Sequence, residues 1–159
     1  MKPLKPCVIW FTGYSGAGKS SLASELAKQL SHCGISTYLL DGDVMRHNLS
    51  QDLSFSKADR DENIRRAGNL AKQQLNAGKT VICAFISPHR EGRNNVRRLF
   101  NTGEFVEVFV DTALSVCEQR DVKGLYQRAR KGEIKNFTGI DSPYEPPLQP
   151  DIHIKTSHL

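Results

Sequence analysis

The chain has 159 residues, of which 38% are hydrophobic and 25% charged, and carries a formal net charge of +5. That length and balance fit one globular domain, 1–159, able to bury a core without disulfides or a structural metal. No apolar run approaches the ~20 residues that span a bilayer, which excludes a membrane span, and the positive charge favours an anionic partner without naming it.

Met1-Lys2-Pro3-Leu4-Lys5-Pro6 leads into a strand and not into a secretory apolar segment, so the expected compartment is the cytoplasm. Cys7, Cys33, Cys83 and Cys117 lie far apart without C-x-x-C pairing. They read as buried reduced thiols, and no His/Cys cluster has the spacing of a zinc site.

Cys7 to Thr12 is a continuous apolar run of strand type. It feeds Gly13-Tyr14-Ser15-Gly16-Ala17-Gly18-Lys19-Ser20, which satisfies G-x-x-x-x-G-K-[ST] residue for residue. Glycines at 13, 16 and 18 let the backbone approach a ligand closely and turn successive N–H groups toward phosphate oxygens. Lys19 adds a point charge for the β- and γ-phosphates, and Ser20 a hydroxyl for Mg²⁺. A helix from Lys19 to Cys33 follows, with Leu22, Ala23, Leu26, Ala27 and Leu30 at helical spacing, and Gly34 ends it. A strand feeding a helix N-terminus is the context such an anion site requires.

Ser36 to Leu40 is the second strand and delivers Asp41-Gly42-Asp43 to its carboxyl end, the edge where open α/β sheets bind ligands. Phosphoryl transfer to a hydroxyl needs a carboxylate to orient that hydroxyl and take its proton, and Asp41 and Asp43 are candidates; an ordinary Asp-Gly turn is the plain alternative. Arg46, His47 and Asn48 open a polar stretch that carries Phe55, read either as a small core anchor or as a stacking platform. Ser56 and Asp59 have capping-box spacing before a long helix with Ile64, Ala67, Leu70, Ala71 and Leu75 on one face, closed by Gly78.

The third strand, Thr80 to Phe85, ends in Ile86-Ser87-Pro88-His89-Arg90. Ser87 reads as a hydrogen-bond donor or nucleophile facing the crevice, or as a backbone cap. A basic helix from Arg90 to Phe100, a turn at Asn101-Thr102-Gly103, a strand from Phe105 to Val110, a helix from Leu114 to Arg120 and a short basic helix to Lys131 follow. The segment from Asn136 to Pro150 holds four prolines and no helical period, which predicts a loop over the surface or a site. Ile152 to Ile154 is a last short strand.

Alternating strands and helices argue an α/β fold, a parallel sheet of about five strands with helices on both faces. Of the arginines between 46 and 98, Arg46 and Arg60 are the best candidates to grip an anionic acceptor, because they flank the loop beside the Asp41-Gly42-Asp43 strand end. From the residues alone the chain is a nucleotide-dependent phosphotransferase with an unnamed acceptor. A kinase of a sugar acid, a shikimate-like acid or a nucleoside, and a non-catalytic nucleotide-switched or nucleic-acid-binding module, are the competing readings.

From Ile9 to Ile154 the sequence resembles the adenylylsulfate kinase (APS kinase) family. The likeness rests on the phosphate loop, Leu40-Asp41-Gly42-Asp43 with Arg46, and Asp52-Leu53-Ser54-Phe55-Ser56 with Asp59-Arg60-Asp61-Glu62-Asn63-Ile64-Arg65-Arg66. It rests also on Ala84-Phe85-Ile86-Ser87-Pro88, Glu118-Gln119-Arg120-Asp121 with Lys123-Gly124-Leu125-Tyr126, and Phe137-Thr138-Gly139-Ile140-Asp141-Ser142-Pro143-Tyr144-Glu145. The resemblance implies transfer of the γ-phosphoryl of ATP, with Mg²⁺, to the 3′-hydroxyl of adenosine 5′-phosphosulfate.

In that reading Gly13 to Ser20 together with Ser21 bind ATP, and Ser20 binds Mg²⁺ with Asp41 as an outer-sphere partner. Asp43 is the carboxylate at the acceptor hydroxyl. Phe55 and Phe137 sandwich the acceptor adenine, Arg46, Arg60 and Asn63 hold phosphosulfate and ribose, and Ile86 and Ser87 add acceptor contacts. Ser87 aligns with a serine proposed to be phosphorylated in the family; direct in-line transfer is preferred. Lys123 and the residues through Arg130 form a lid over ATP. The partners implied are these two nucleotides, with no nucleic acid and no membrane, and a homodimer is compatible.

Departures from the family pattern are Tyr14 for leucine, Ser54 for glycine, Ala113 for proline and His89 for tyrosine. At Ser54 a required positive φ would cost roughly 1 kcal/mol and shift the Phe55 ring. The family's usual final helix is expected to be absent after Leu159.

Overall fold

The computed structural model describes residues 4–156, so the first and last three residues of the expected domain, with the chain end at Leu159, lie outside the described residues. Its elements in order are β1 (Val8–Thr12), α1 (Lys19–His32), β2 (Thr37–Asp41), α2 (Gly42–Asn48), α3 (Lys57–Asn76), β3 (Thr80–Ala84), α4 (Arg90–Arg97), β4 (Phe105–Asp111), α5 (Leu114–Arg120), α6 (Leu125–Arg130) and β5 (Ile152–Lys155). All strand pairs are parallel, in the order β2-β3-β1-β4-β5. The expected five-stranded parallel sheet is the one found.

Alternation along the strands splits the core into two layers. Val8 and Trp10 of β1 with Val81 and Cys83 of β3 face α3 and α4, where Ile64, Ala67, Ala71 and Val96 close on them. Phe11, Ile82, Ala84, Val108 and Val110 face the other way, onto Ala23 of α1, Cys117 of α5 and Tyr126 and Ala129 of α6. A sheet buried on both faces explains why its central strands read as unbroken apolar runs.

Local chemistry sets several boundaries. Helix α2 was not anticipated, because Asp-Gly reads as a turn. Asp41 instead takes an extended N-cap conformation and accepts from the Asp43 amide at 2.9 Å, which winds the following residues into a helix that buries Met45. Helix α4 stops at Arg97, short of Phe100, whose ring turns to stack on Phe105. The capping box at α3 is half formed. The Ser56 hydroxyl accepts from the Asp59 amide at 3.2 Å, but the Asp59 carboxylate takes the Ser54 amide at 2.9 Å and hydroxyl at 2.5 Å.

That last contact corrects the concern about Ser54. Among the described residues the non-glycine positions with positive φ are Ser87, Asp121 and Asn136, so Ser54 carries no left-handed strain, and Asp59 holds it in place. The thiols are all free, as expected, but only Cys83 and Cys117 are buried; Cys33, at the end of α1, is exposed.

Candidate active site

The carboxyl ends of β1, β2 and β3 open into a cavity of about 720 Å³, a size typical of ligand sites. Its lining joins Ser15, Gly16, Gly18, Lys19, Ser20 and Ser21 to Asp41, Asp43, Arg46, Phe55, Arg60, Asn63, Ile86, Ser87, Lys123 and Phe137. Residues spread over 123 positions of sequence thus meet in one cleft.

At one end lies the phosphate loop. Gly18 has φ 106° and precedes α1, and no side chain caps that helix, which leaves its first amides free for an anion. Gly13, Tyr14 and Ala17 do not line the cavity. Gly13 backs onto β4, where an added Cβ would stand 2.6 Å from the Val110 carbonyl oxygen; Ala17 is buried in the core; and the Tyr14 ring turns away onto Tyr144. These three serve the loop's shape through the backbone.

The Lys19 ammonium donates to the Tyr14 carbonyl at 2.7 Å, so the lysine is held across the loop. Burial pushes it down to about 8, a position from which anionic phosphate would raise it again. The Ser20 hydroxyl donates to Asp41 Oδ2 at 2.7 Å, and Asp41 Oδ1 accepts the Asp43 amide. Both Asp41 oxygens are therefore engaged, while Asp43 meets Lys123 in a close ion pair. That pair is half exposed, and exposed pairs contribute about 0–1 kcal/mol, so a bound nucleotide can replace it. Asp121, left-handed at φ 33°, caps α6 by accepting from the Tyr126 and Gln127 amides, which fixes the segment carrying Lys123.

The other end is aromatic. Phe55 is exposed, with the Arg46 guanidinium 4.3 Å from its ring centroid; Arg46 also donates to the Ser54 carbonyl at 2.9 Å. Phe137 is buried and meets Tyr126 edge to face at 4.9 Å. Asn63 is buried, and its Oδ1 has no donor in the protein, the kind of orphan acceptor that a ligand hydroxyl or amine satisfies.

Two expectations change here. Arg60 was read as a grip on the acceptor's anionic groups, yet its guanidinium donates to the Phe55 carbonyl at 2.7 Å, to Thr138 Oγ1 at 2.6 Å and to the Asn136 carbonyl. Ser87 lines the cavity, but its hydroxyl is buried, accepts from Trp10 Nε1 at 3.1 Å and contacts Thr12 Oγ1 at 3.0 Å and the Phe85 carbonyl at 3.2 Å. No base touches it.

Sequence reasoning assigned no role to Arg120 or Arg93, and placed Tyr126 only within the lid segment. The Tyr126 hydroxyl donates to the Ser15 carbonyl at 2.7 Å, and Arg120 donates to the Gly16 carbonyl at 3.2 Å. Arg93 is buried against Glu107 at 3.3 Å and donates to the carbonyl of Ser87. A glutamate inside the apolar strand Phe105-Val106-Glu107-Val108-Phe109 was the available signal, since a buried carboxylate needs a cation.

A phosphate loop at the end of a central parallel strand, facing a carboxylate and an aromatic-walled second lobe, defines a P-loop kinase. The sequence profile of the family described as Adenylylsulphate kinase matches residues 5–155. The chain is 59% identical over 157 residues to the adenylyl-sulfate kinase of Shewanella sp. (strain MR-4), covering 99% of this chain and 77% of that one. It is 62% identical over 153 residues to that of Aeromonas hydrophila subsp. hydrophila, covering 96% and 78%. The APS kinase of Mycobacterium tuberculosis, solved in complex with AMPPNP and APS, superposes with a TM-score of 0.94 at 47% identity, covering 99% of this chain and 92% of that one. The chain belongs to the adenylylsulphate kinase family. That membership sets aside the non-catalytic reading and the sugar-acid, shikimate-like and nucleoside kinase readings.

Proposed function

We propose that residues 1–159 act as one catalytic unit that transfers the γ-phosphoryl of ATP to the 3′-hydroxyl of adenosine 5′-phosphosulfate, giving 3′-phosphoadenosine 5′-phosphosulfate and ADP. The observation that carries this reading is the single cavity in which Lys19 and Ser20 share a lining with Asp43, Phe55 and Phe137. One lobe suits phosphates and the other a flat ring.

In this mechanism the free amides at the start of α1 and the Lys19 ammonium receive the ATP phosphates, and Lys123 leaves Asp43 to cover them. Asp43 then orients the acceptor 3′-hydroxyl and takes its proton as the oxygen attacks the γ-phosphorus in line. Phe55 and Phe137 hold the adenine, and Asn63 Oδ1 accepts from a ribose hydroxyl. Arg46, freed from the Phe55 ring, faces the phosphosulfate, while the backbone at Ile86 and Ser87 lines the acceptor side. Closure of the Lys123 to Arg130 segment excludes water and so limits ATP hydrolysis.

Magnesium fits the phosphate end, where the Ser20 hydroxyl would be its ligand and Asp41, 2.7 Å from that hydroxyl, its outer-sphere partner. These residues would hold it, and there it would supply positive charge to offset that of the transferring phosphates. Ser87, whose hydroxyl is tied to Trp10, Thr12 and Phe85, supports direct transfer and not a phosphoserine relay.

The same reading carries the expected cytoplasmic location and a homodimer in solution. Among the described residues no helix is long and apolar enough to cross a membrane. The test is an acceptor panel with ATP and Mg²⁺: ADP formation should require adenosine 5′-phosphosulfate, and ADP formation with gluconate, shikimate or a nucleoside alone would overturn the assignment.

A further inference from the structure

A strained residue lines the cavity. Ser87 is buried and its φ is 42°, a left-handed value that a residue with a Cβ holds only when its surroundings enforce it. Turning the Ile86–Ser87 peptide plane over would bring that φ to roughly −140°, the extended range that a residue before proline prefers, and Pro88 follows. The turned-over peptide is thus the relaxed one, and something must hold the orientation observed.

The holder is Thr12. Its hydroxyl donates to the Ile86 carbonyl at 2.7 Å, and among the described residues no other group donates to that oxygen. A carbonyl only accepts, the hydroxyl has one proton, and the second carbonyl in reach, that of Ser87, lies farther off at 3.4 Å. The Tyr144 hydroxyl, 2.8 Å away, must then donate to Thr12 Oγ1. The remaining anchors of this strand end act on either side of the peptide. The Phe85 amide bonds the Phe11 carbonyl at 3.1 Å, Trp10 holds the Ser87 side chain, and Arg93 holds the Ser87 carbonyl at 2.5 Å.

We propose that Thr12 is a positioning residue that turns the Ser87 N–H into the acceptor side of the cleft. In a trans peptide the N–H points opposite to the C=O. Thr12 is fully buried and does not line the cavity, so drawing the Ile86 carbonyl toward it sends the Ser87 N–H the other way, into the space that Ile86 and Ser87 border. Among the described residues that amide has no protein acceptor, and a lone pair of the acceptor nucleotide would satisfy it. A turned-over peptide would instead present a carbonyl oxygen there, lone pair against lone pair. The proposal rests on the reading of adenosine 5′-phosphosulfate as the acceptor.

Variants of the full chain separate orientation from stability. Thr12→Val keeps the shape and deletes the hydroxyl, whereas Thr12→Ser keeps the hydroxyl and deletes a buried methyl. Tyr144→Phe removes another bond of the same network and leaves Thr12 on Ile86. Steady-state kinetics should show KM for adenosine 5′-phosphosulfate raised about tenfold in Thr12→Val, the scale of one lost hydrogen bond, with KM for ATP unchanged. Thr12→Ser and Tyr144→Phe should keep the wild-type KM although both melt at lower temperature, a split that a merely structural role would not produce. Should Thr12→Val fold poorly, Thr12→Val combined with Tyr144→Phe removes the phenol it would orphan and carries the same test.

A crystal structure of ligand-free Thr12→Val should show the Ile86–Ser87 peptide turned over and the Ser87 φ negative. A wild-type KM in Thr12→Val, a KM raised as much in Thr12→Ser, or an unturned peptide in the Thr12→Val crystal would overturn the proposal. A turned peptide, alongside a wild type that does not phosphorylate adenosine 5′-phosphosulfate, supports the role of Thr12 and refutes the assigned reaction instead.

Discussion

The Tyr126 hydroxyl donates to the backbone carbonyl of Ser15 at 2.7 Å, while the same ring meets Phe137 edge to face at 4.9 Å. One buried side chain of α6 thus touches both the phosphate loop and Phe137. Tyr126→Phe keeps the ring contact and deletes the hydrogen bond. We expect KM for ATP to rise several-fold with KM for the acceptor little changed, and a stability loss of about 1 kcal/mol, read by steady-state kinetics and thermal unfolding.

Asp43 is the carboxylate assigned to the acceptor proton. Asp43→Asn removes the base without changing its shape and should lower kcat by about 10²–10⁴. ATP affinity, measured by titration calorimetry, should be preserved. An active Asp43→Asn enzyme would show that the hydroxyl needs no carboxylate here.

Lys19 gives the donor side a pH signature. Burial lowers the ammonium to about 8 in the free protein, against about 10.4 in an unfolded chain. Below pH 8 the charge is present and ATP meets a cation; above it the lysine loses its proton and binding weakens, by up to about tenfold per pH unit for a single linked proton. The stability effect has the opposite sign: the unfolded chain binds the extra proton between the two values, so this group's contribution to stability rises with pH there. KM for ATP measured from pH 7 to 9.5 should climb above pH 8 in the wild type and be flat in Lys19→Met.

Ser87 tests the route of the phosphoryl group. Ser87→Ala should keep most of its turnover, and mass spectrometry after exposure of the wild type to ATP alone should find no phosphoserine. The substitution still has a cost, because Trp10 Nε1 loses its acceptor in the buried network; a loss of about 1–3 kcal/mol in unfolding free energy is expected.

What was legible in the chain follows from how far each interaction reaches along it. The phosphate loop is written in eight consecutive residues, and the parallel sheet follows from strand and helix periods that need only local reading. Phe55 was ambiguous by spacing and became interpretable only through resemblance. Helix α2 was hidden because Asp41-Gly42-Asp43 is a turn by composition, and only the Asp41 side chain folding onto the Asp43 amide makes it a helix start.

The partners of Arg60 and Arg93 were beyond local reading for a different reason. Arg60 bonds Thr138, 78 positions away, and Arg93 donates to the carbonyl of Ser87 while pairing with Glu107 of β4. No periodicity records such pairings. A charged residue on a helix reads as a solvated one unless its tertiary partner is known. Ser54 erred in the other direction: its departure from the family pattern suggested strain, and Asp59 absorbs the change through the Ser54 amide and hydroxyl.

The central claim is that the phosphoryl group crosses from ATP, held at Lys19, to an adenine nucleotide held between Phe55 and Phe137, at its 3′-oxygen. The most direct measurement is ³¹P NMR of the product formed by the purified protein from ATP, Mg²⁺ and adenosine 5′-phosphosulfate. A new phosphomonoester resonance coupled to the ribose 3′ proton, equal in amount to the ADP formed, is the predicted result. ADP released with inorganic phosphate and no such resonance, or a phosphoryl group on the 2′-oxygen, would contradict it.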